Sequence, residues 1–166
     1  DAKIILYNFE KLCGYKFSAE CVENLAARFP KNIIGVKDSS YNLMGNLNIK
    51  NFSILPGSEL KLLNGLQKDC SGIITATCNV TAKLARKVFD DFEQNKEQTV
   101  NNKLCEVRKV FDQFNLISGL HSFLSLTDKQ FSNILPTCTL LNKEDEKKLI
   151  DKLKDLDFLK KDFKAA

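Results

Sequence analysis

The 166-residue chain has no tryptophan, one methionine, three prolines and a single histidine, His121. With one histidine and no CxxC or HExxH string, a zinc centre would have to be assembled from scattered residues, so no catalytic metal is expected; no cofactor is expected either. No apolar run approaches the roughly 20 residues that span a bilayer, which removes a membrane partner from the expectation. Nor is there a block of one charge: 25 Lys+Arg against 21 Asp+Glu leave +4, interspersed along the sequence, and nucleic acid is not an expected partner. The start, Asp1-Ala2-Lys3-Ile4-Ile5-Leu6, has neither an initiator Met nor the layout of a signal peptide. A soluble, cytoplasmic protein is expected, beginning here at something other than its natural N-terminus. The chain is too long for a stapled mini-fold and shows no export signal, so its six cysteines read as reduced thiols.

What is present is a rhythm of short apolar runs and longer helical patterns over the first hundred residues, the signature of βα units around a parallel sheet. The expected strands are Lys3–Asn8, Asn32–Asp38, Phe52–Leu55 and Ser71–Ala76. Between them Ser18–Phe29, with Cys21, Leu25 and Ala26 on one face, and Ser58–Gln67 read as helices capped by Ser18 and Ser58, with a short element around Tyr41–Gly45. A helix over Thr81–Gln94 follows the fourth strand. From about residue 97 only helices are expected: Thr99–Phe114, Thr127–Leu135 opened by a Thr127…Gln130 capping box, and a last helix from Asn142 with Leu149, Leu153, Leu156 and Phe163 as its apolar stripe. The expected organisation is four βα units over residues 1–96 and a helical extension of the same domain over 97–166. Four units do not close an eight-stranded barrel, which takes about 250 residues, so the chain reads as half of one.

Strand alternation places Ile33, Gly35 and Lys37 on one face and Ile34, Val36 and Asp38 on the other. Lys37 therefore leaves the C-terminal end of a buried strand, the edge where parallel α/β folds build their sites. A lysine there is either a solvated strand end or, once desolvated, an amine able to form a Schiff base. Tyr7 holds the matching place on the first strand, as a core-edge residue or as a phenol that moves a proton. His121, in an apolar helical-looking stretch, reads as a packed or surface histidine, with a catalytic role as the alternative.

Residues 4–8 (IILYN), Gly14, residues 34–40 (IGVKDSS), Pro56-Gly57-Ser58-Glu59 and residues 71–79 (SGIITATCN) resemble, in order and spacing, the second half of the dihydrodipicolinate synthase and N-acetylneuraminate lyase family. The resemblance implies an α/β fold, the C-terminal half (strands five to eight) of a (β/α)8 TIM barrel followed by C-terminal helices. It also implies a class I mechanism on a 2-keto acid, usually pyruvate, in a homo-oligomer, the family tetramer. Carried over by position, Lys37 is the Schiff-base lysine and Tyr7 the proton shuttle. Ser39, Gly57, Ser58, Glu59 and Ala76 fall at substrate-contacting positions.

Departures from the family pattern narrow the expectation. Leu12 stands where dihydrodipicolinate synthases carry an arginine that clamps the second substrate's carboxylate. Pro56-Gly57-Ser58-Glu59 is closer to the 2-keto-3-deoxygluconate aldolases than to sialic acid lyases, and Phe9 replaces a tyrosine of phosphate-accepting members. The expected reaction is reversible cleavage of 2-keto-3-deoxygluconate to pyruvate and glyceraldehyde. N-acetylneuraminate lyase, a dihydrodipicolinate synthase-like enzyme and an inactive half-barrel that needs its N-terminal half are the alternatives.

Overall fold

The computed structural model describes residues 2–161, with side chains to residue 159. The chain forms two compact units, residues 1–75 and 76–166.

The first unit is built on a parallel sheet of β1 (Ile4–Asn8), β2 (Ile33–Asp38) and β3 (Ser53–Pro56), in that spatial order. Tyr7 pairs with Lys37 and Asn8 with Asp38 across β1 and β2; Lys37 pairs with Leu55 and Asp38 with Pro56 across β2 and β3. Helix α1 (Glu10–Cys13) ends at Gly14, whose φ of +67° is the left-handed stop that glycine takes without strain. Helix α2 (Ala19–Arg28) begins where Ser18 accepts a hydrogen bond from the Cys21 amide. Its buried pair is Val22 and Ala26, four residues apart, rather than a stripe through Cys21. Val22, Val36, Leu43, Ile54 and Cys70 form the core on one side of the sheet, with Leu6, Phe17 and Phe52 against it.

Two expectations for this unit are corrected. The crossover between β2 and β3 carries bends and turns but no helix, and its Leu43 still fills the core. The fourth strand, Ser71–Ala76, does not form: residues 71–75 run along β3 with only two backbone bonds, Ser71 to Ile54 and Ile74 to Pro56. Gly72, at φ +136°, turns the backbone out of the pleat between them and the ladder is lost. Among the described residues the sheet therefore has three strands rather than the four of a complete half-barrel. Ser58 caps a 3₁₀ turn (Glu59–Lys61) that leads into α3 (Leu62–Leu66).

The second unit is helical: α4 (Cys78–Glu93), α5 (Asn101–Phe111), α6 (Leu116–Leu124), a 3₁₀ turn at Lys129–Ser132, α7 (Lys143–Asp155) and α8 (Phe158–Lys161). Leu104, Val107 and Phe111 of α5 are buried with Phe123 of α6, Leu149 and Leu153 of α7, and Phe158 of α8. Phe123 packs edge-on against Phe111 at 5.8 Å and tilted against Phe158 at 6.0 Å. The helix expected over 127–135 shrinks to the 3₁₀ turn, and its cap is Asp128, which accepts from the Gln130 amide. The Thr127 hydroxyl is spent on the Leu124 carbonyl at the end of α6. Asn142 caps α7 through the Asp145 amide, as the sequence pattern predicts. Phe163 lies outside the described residues. No described helix is long and apolar enough to cross a membrane.

Candidate active site

In a parallel sheet the side chains at paired positions of neighbouring strands stand on the same face. The pairing of Tyr7 with Lys37 thus sets the two expected reactive groups side by side at the C-terminal ends of β1 and β2. Lys37 Nζ lies 4.2 Å from the centre of the Tyr7 ring, over its face, and the electron-rich ring attracts the cation. Tyr7 is 42% exposed and leans on Phe9, with ring centres 5.8 Å apart. Phe9 and Tyr7 together form a short aromatic wall beside the Lys37 amine.

Gly35 answers to the neighbouring strand. A Cβ there would lie 2.6 Å from the Ser53 carbonyl oxygen, so the glycine is required by the close approach of β3. The strand ends continue as a ladder, with the Ser39 amide donating to the Asn8 carbonyl (2.9 Å) and the Gly57 amide to the Asp38 carbonyl (3.1 Å). Ser39 and Gly57 are brought into contact: a Cβ on Gly57 would strike the Ser39 hydroxyl. Ser58 is buried, and its hydroxyl accepts from the Leu60 amide as a cap.

Glu59 is fully buried, and its carboxylate accepts from the Thr75 hydroxyl at 3.0 Å. Here it ties the start of the 3₁₀ turn to the segment after α3. Ala76 is exposed in the turn that opens the second unit. Leu12, 74% exposed on α1, brings no polar group to this rim. His121 belongs to the second unit, where its Nδ1 lies 2.7 Å from the Phe131 carbonyl and its ring packs on Phe131. That is a structural placement.

Sequence reasoning missed the polar cluster behind the site. Asn8 and Asp38 are both fully buried, on the opposite face from Tyr7 and Lys37. Asn8 Nδ2 donates to Asp38 Oδ1 (2.9 Å) and to Asn42 Oδ1 (2.8 Å). Asp38 Oδ2 accepts from the amides of Leu43 (2.8 Å) and Met44 (3.1 Å). A polar residue at each of two paired strand ends, next to the reactive pair, was the available signal. Nearby, burial pushes the Cys70 thiol up to about 11, reinforced by the negative charge of Asp38. This thiol is packed and inert. Among the described residues no group of three His, Cys, Asp or Glu side chains could hold a metal ion.

The model of the dihydrodipicolinate synthetase family matches residues 1–156. An uncharacterized DapA-like lyase of Chloroflexus aurantiacus is 28% identical over 151 residues, 87% of this chain and 50% of that protein. The probable 2-dehydro-3-deoxy-D-pentonate aldolase YjhH of Escherichia coli K12 is 28% identical over 120 residues, 65% of this chain and 39% of its own length. Among solved structures, YagE, a prophage protein of the dihydrodipicolinic acid synthase family from E. coli K12 crystallised with pyruvate, superposes with a TM-score of 0.84 at 20% identity, over 94% of this chain and 56% of that one. The chain spans about half the length of these relatives. With the matched model reaching from the first strand into α7, the chain belongs to the dihydrodipicolinate synthetase family.

Proposed function

We propose that this chain is the C-terminal part of a class I carbon–carbon lyase, the strand-five-to-eight half of a (β/α)8 barrel with its helical extension, acting on a 2-keto acid. The observation that carries the reading is the Tyr7–Lys37 pair, in register on neighbouring parallel strands with the amine 4.2 Å from the ring centre.

In this reading the unprotonated Lys37 amine adds to the keto carbon and water leaves, giving an imine. The protonated imine is the electron sink, so the C3–C4 bond breaks without a metal as Tyr7 takes the proton of the C4 hydroxyl. An aldehyde departs, the enamine is protonated at C3, and hydrolysis frees pyruvate and Lys37. Ser39 and Gly57, in contact at the same rim, border the substrate. Ser58, Glu59 and Ala76 are proposed to act on it within the whole protein. The protein is proposed to be cytoplasmic and homo-oligomeric.

The substrate favoured is 2-keto-3-deoxygluconate, supported by the apolar Leu12 and Phe9 where carboxylate- or phosphate-binding groups would otherwise stand. Ranking kcat/KM for that sugar acid, its 6-phosphate and N-acetylneuraminate in the intact natural protein tests the choice. Preference for the first is expected. Preference for N-acetylneuraminate would establish a sialic acid lyase, and condensation of pyruvate with aspartate semialdehyde a synthase.

A further inference from the structure

The buried cluster behind the sheet has a closed form. Asn8 Oδ1 accepts from the Phe17 amide (3.0 Å), the Phe17 carbonyl accepts from Asn42 Nδ2 (2.8 Å), and Asn42 Oδ1 accepts from Asn8 Nδ2 (2.8 Å). This ring of three bonds joins the end of β1, the segment before α2 and the β2–β3 crossover. The second Asn8 Nδ2 proton goes to Asp38, whose other oxygen collects the Leu43 and Met44 amides. Both Asn8 donors are thereby used. Asp38 is a fully buried carboxylate held by three N–H donors. Such a network is costly when partly satisfied and rigid when fully satisfied.

Asn8 and Asp38 directly follow Tyr7 and Lys37, and the two pairs occupy successive rungs of the ladder. Fixing one rung on the buried face fixes the other on the open face, where Tyr7 is 42% exposed. We propose that Asn8, Asp38 and Asn42 are positioning residues that hold the Lys37 amine over the Tyr7 ring in the geometry needed for imine formation. The functional half of this proposal rests on the lyase reading; the geometric half does not.

The intact natural protein, labelled with [13C]lysine, gives a readout of the geometry alone. The Tyr7 ring current displaces the Lys37 ε-methylene resonance upfield, and Tyr7→Leu assigns that displacement by removing it. Asp38→Asn sets an amide donor against the Asn8 donor, and Asn42→Ala opens the ring while leaving Asp38 in place. Both are expected to shrink the displacement and to slow pyruvate-dependent borohydride trapping at Lys37 by about 10- to 100-fold, the scale of a small misplacement of reacting groups. The exchange Asn8→Asp with Asp38→Asn restores a donor–acceptor pair between the two positions and is expected to recover part of both signals. A rescue of this kind separates positioning from plain loss of stability. If Asp38→Asn does not fold, Asn42→Ala decides. A folded variant with an unchanged Lys37 displacement and trapping rate would overturn the proposal. A displaced Lys37 resonance in a wild-type protein that never traps pyruvate would remove the lyase reading and leave the ring-current comparison to decide the positioning claim.

Discussion

Lys37 presents its amine to the face of the Tyr7 ring, 4.2 Å from the ring centre, because the two residues are paired across β1 and β2. The contact uses the ring and leaves the phenol oxygen for other work. Tyr7→Phe therefore keeps the surface against which Lys37 rests and removes only the group that moves a proton. Aldol cleavage is expected to fall about 100- to 10,000-fold, the range of general acid–base groups, with borohydride trapping largely retained. Equal loss of both rates would make Tyr7 a packing residue.

Gly57 and Ser39 allow a second test. An added methyl on Gly57 collides with the Ser39 side chain and approaches its Cα to 3.2 Å. Gly57→Ala is expected to cost about 1–3 kcal/mol in chemical denaturation, as overpacking does. Removing the Ser39 side chain as well, in Ser39→Gly with Gly57→Ala, should return most of that loss; no recovery would show that the backbone of the turn carries the strain.

Cys70 makes stability depend on alkaline pH. Its thiol is raised from about 9 to about 11 in the fold, so the folded state keeps the proton longer than the unfolded chain does. The contribution is complete below pH 9 and is lost as pH rises toward 11, at most about 2–3 kcal/mol for a shift of this size. Denaturation curves for wild type and Cys70→Ala should therefore converge between those pH values. Parallel curves would remove the linkage.

The chain of residues 1–166 by itself is expected to self-associate. Ile4, Ile5, Tyr7 and Ile74 are 45, 42, 42 and 39% exposed, and β1 is an edge strand of a parallel sheet. Light scattering across a concentration series should give a mass above 18.8 kDa, the chain's own. A monodisperse monomer that cleaves the sugar acid would contradict this and place the whole activity in these residues.

The strand alternation and the parallel neighbour rule were enough to put Lys37 and Tyr7 at one rim, because a two-residue period and pairing of successive strands leave little freedom. Ser18, Ser58 and Asn142 were legible as helix caps for an equally local reason, a side-chain oxygen two or three residues before the amide it receives. The fourth strand is not legible because SGIITA has the composition of a strand, while Gly72 takes a φ of +136° that a strand does not use. The cap is Asp128, whose carboxylate accepts the Gln130 amide, while Thr127 lies at the end of the preceding helix and donates to its Leu124 carbonyl. Asn8 and Asp38 were the hardest. Polar residues at strand ends read as solvated, and only the folded chain supplies the amides that let both lie buried.

The central claim is that Lys37 is the nucleophile. Borohydride reduction of the intact natural protein in the presence of pyruvate, followed by peptide mass mapping, addresses it without assuming any particular aldehyde partner. The account predicts a three-carbon adduct on the peptide carrying Lys37, absent when pyruvate is omitted and absent in Lys37→Arg. An unmodified Lys37 with the adduct on another lysine, or no pyruvate-dependent adduct at all, would contradict it.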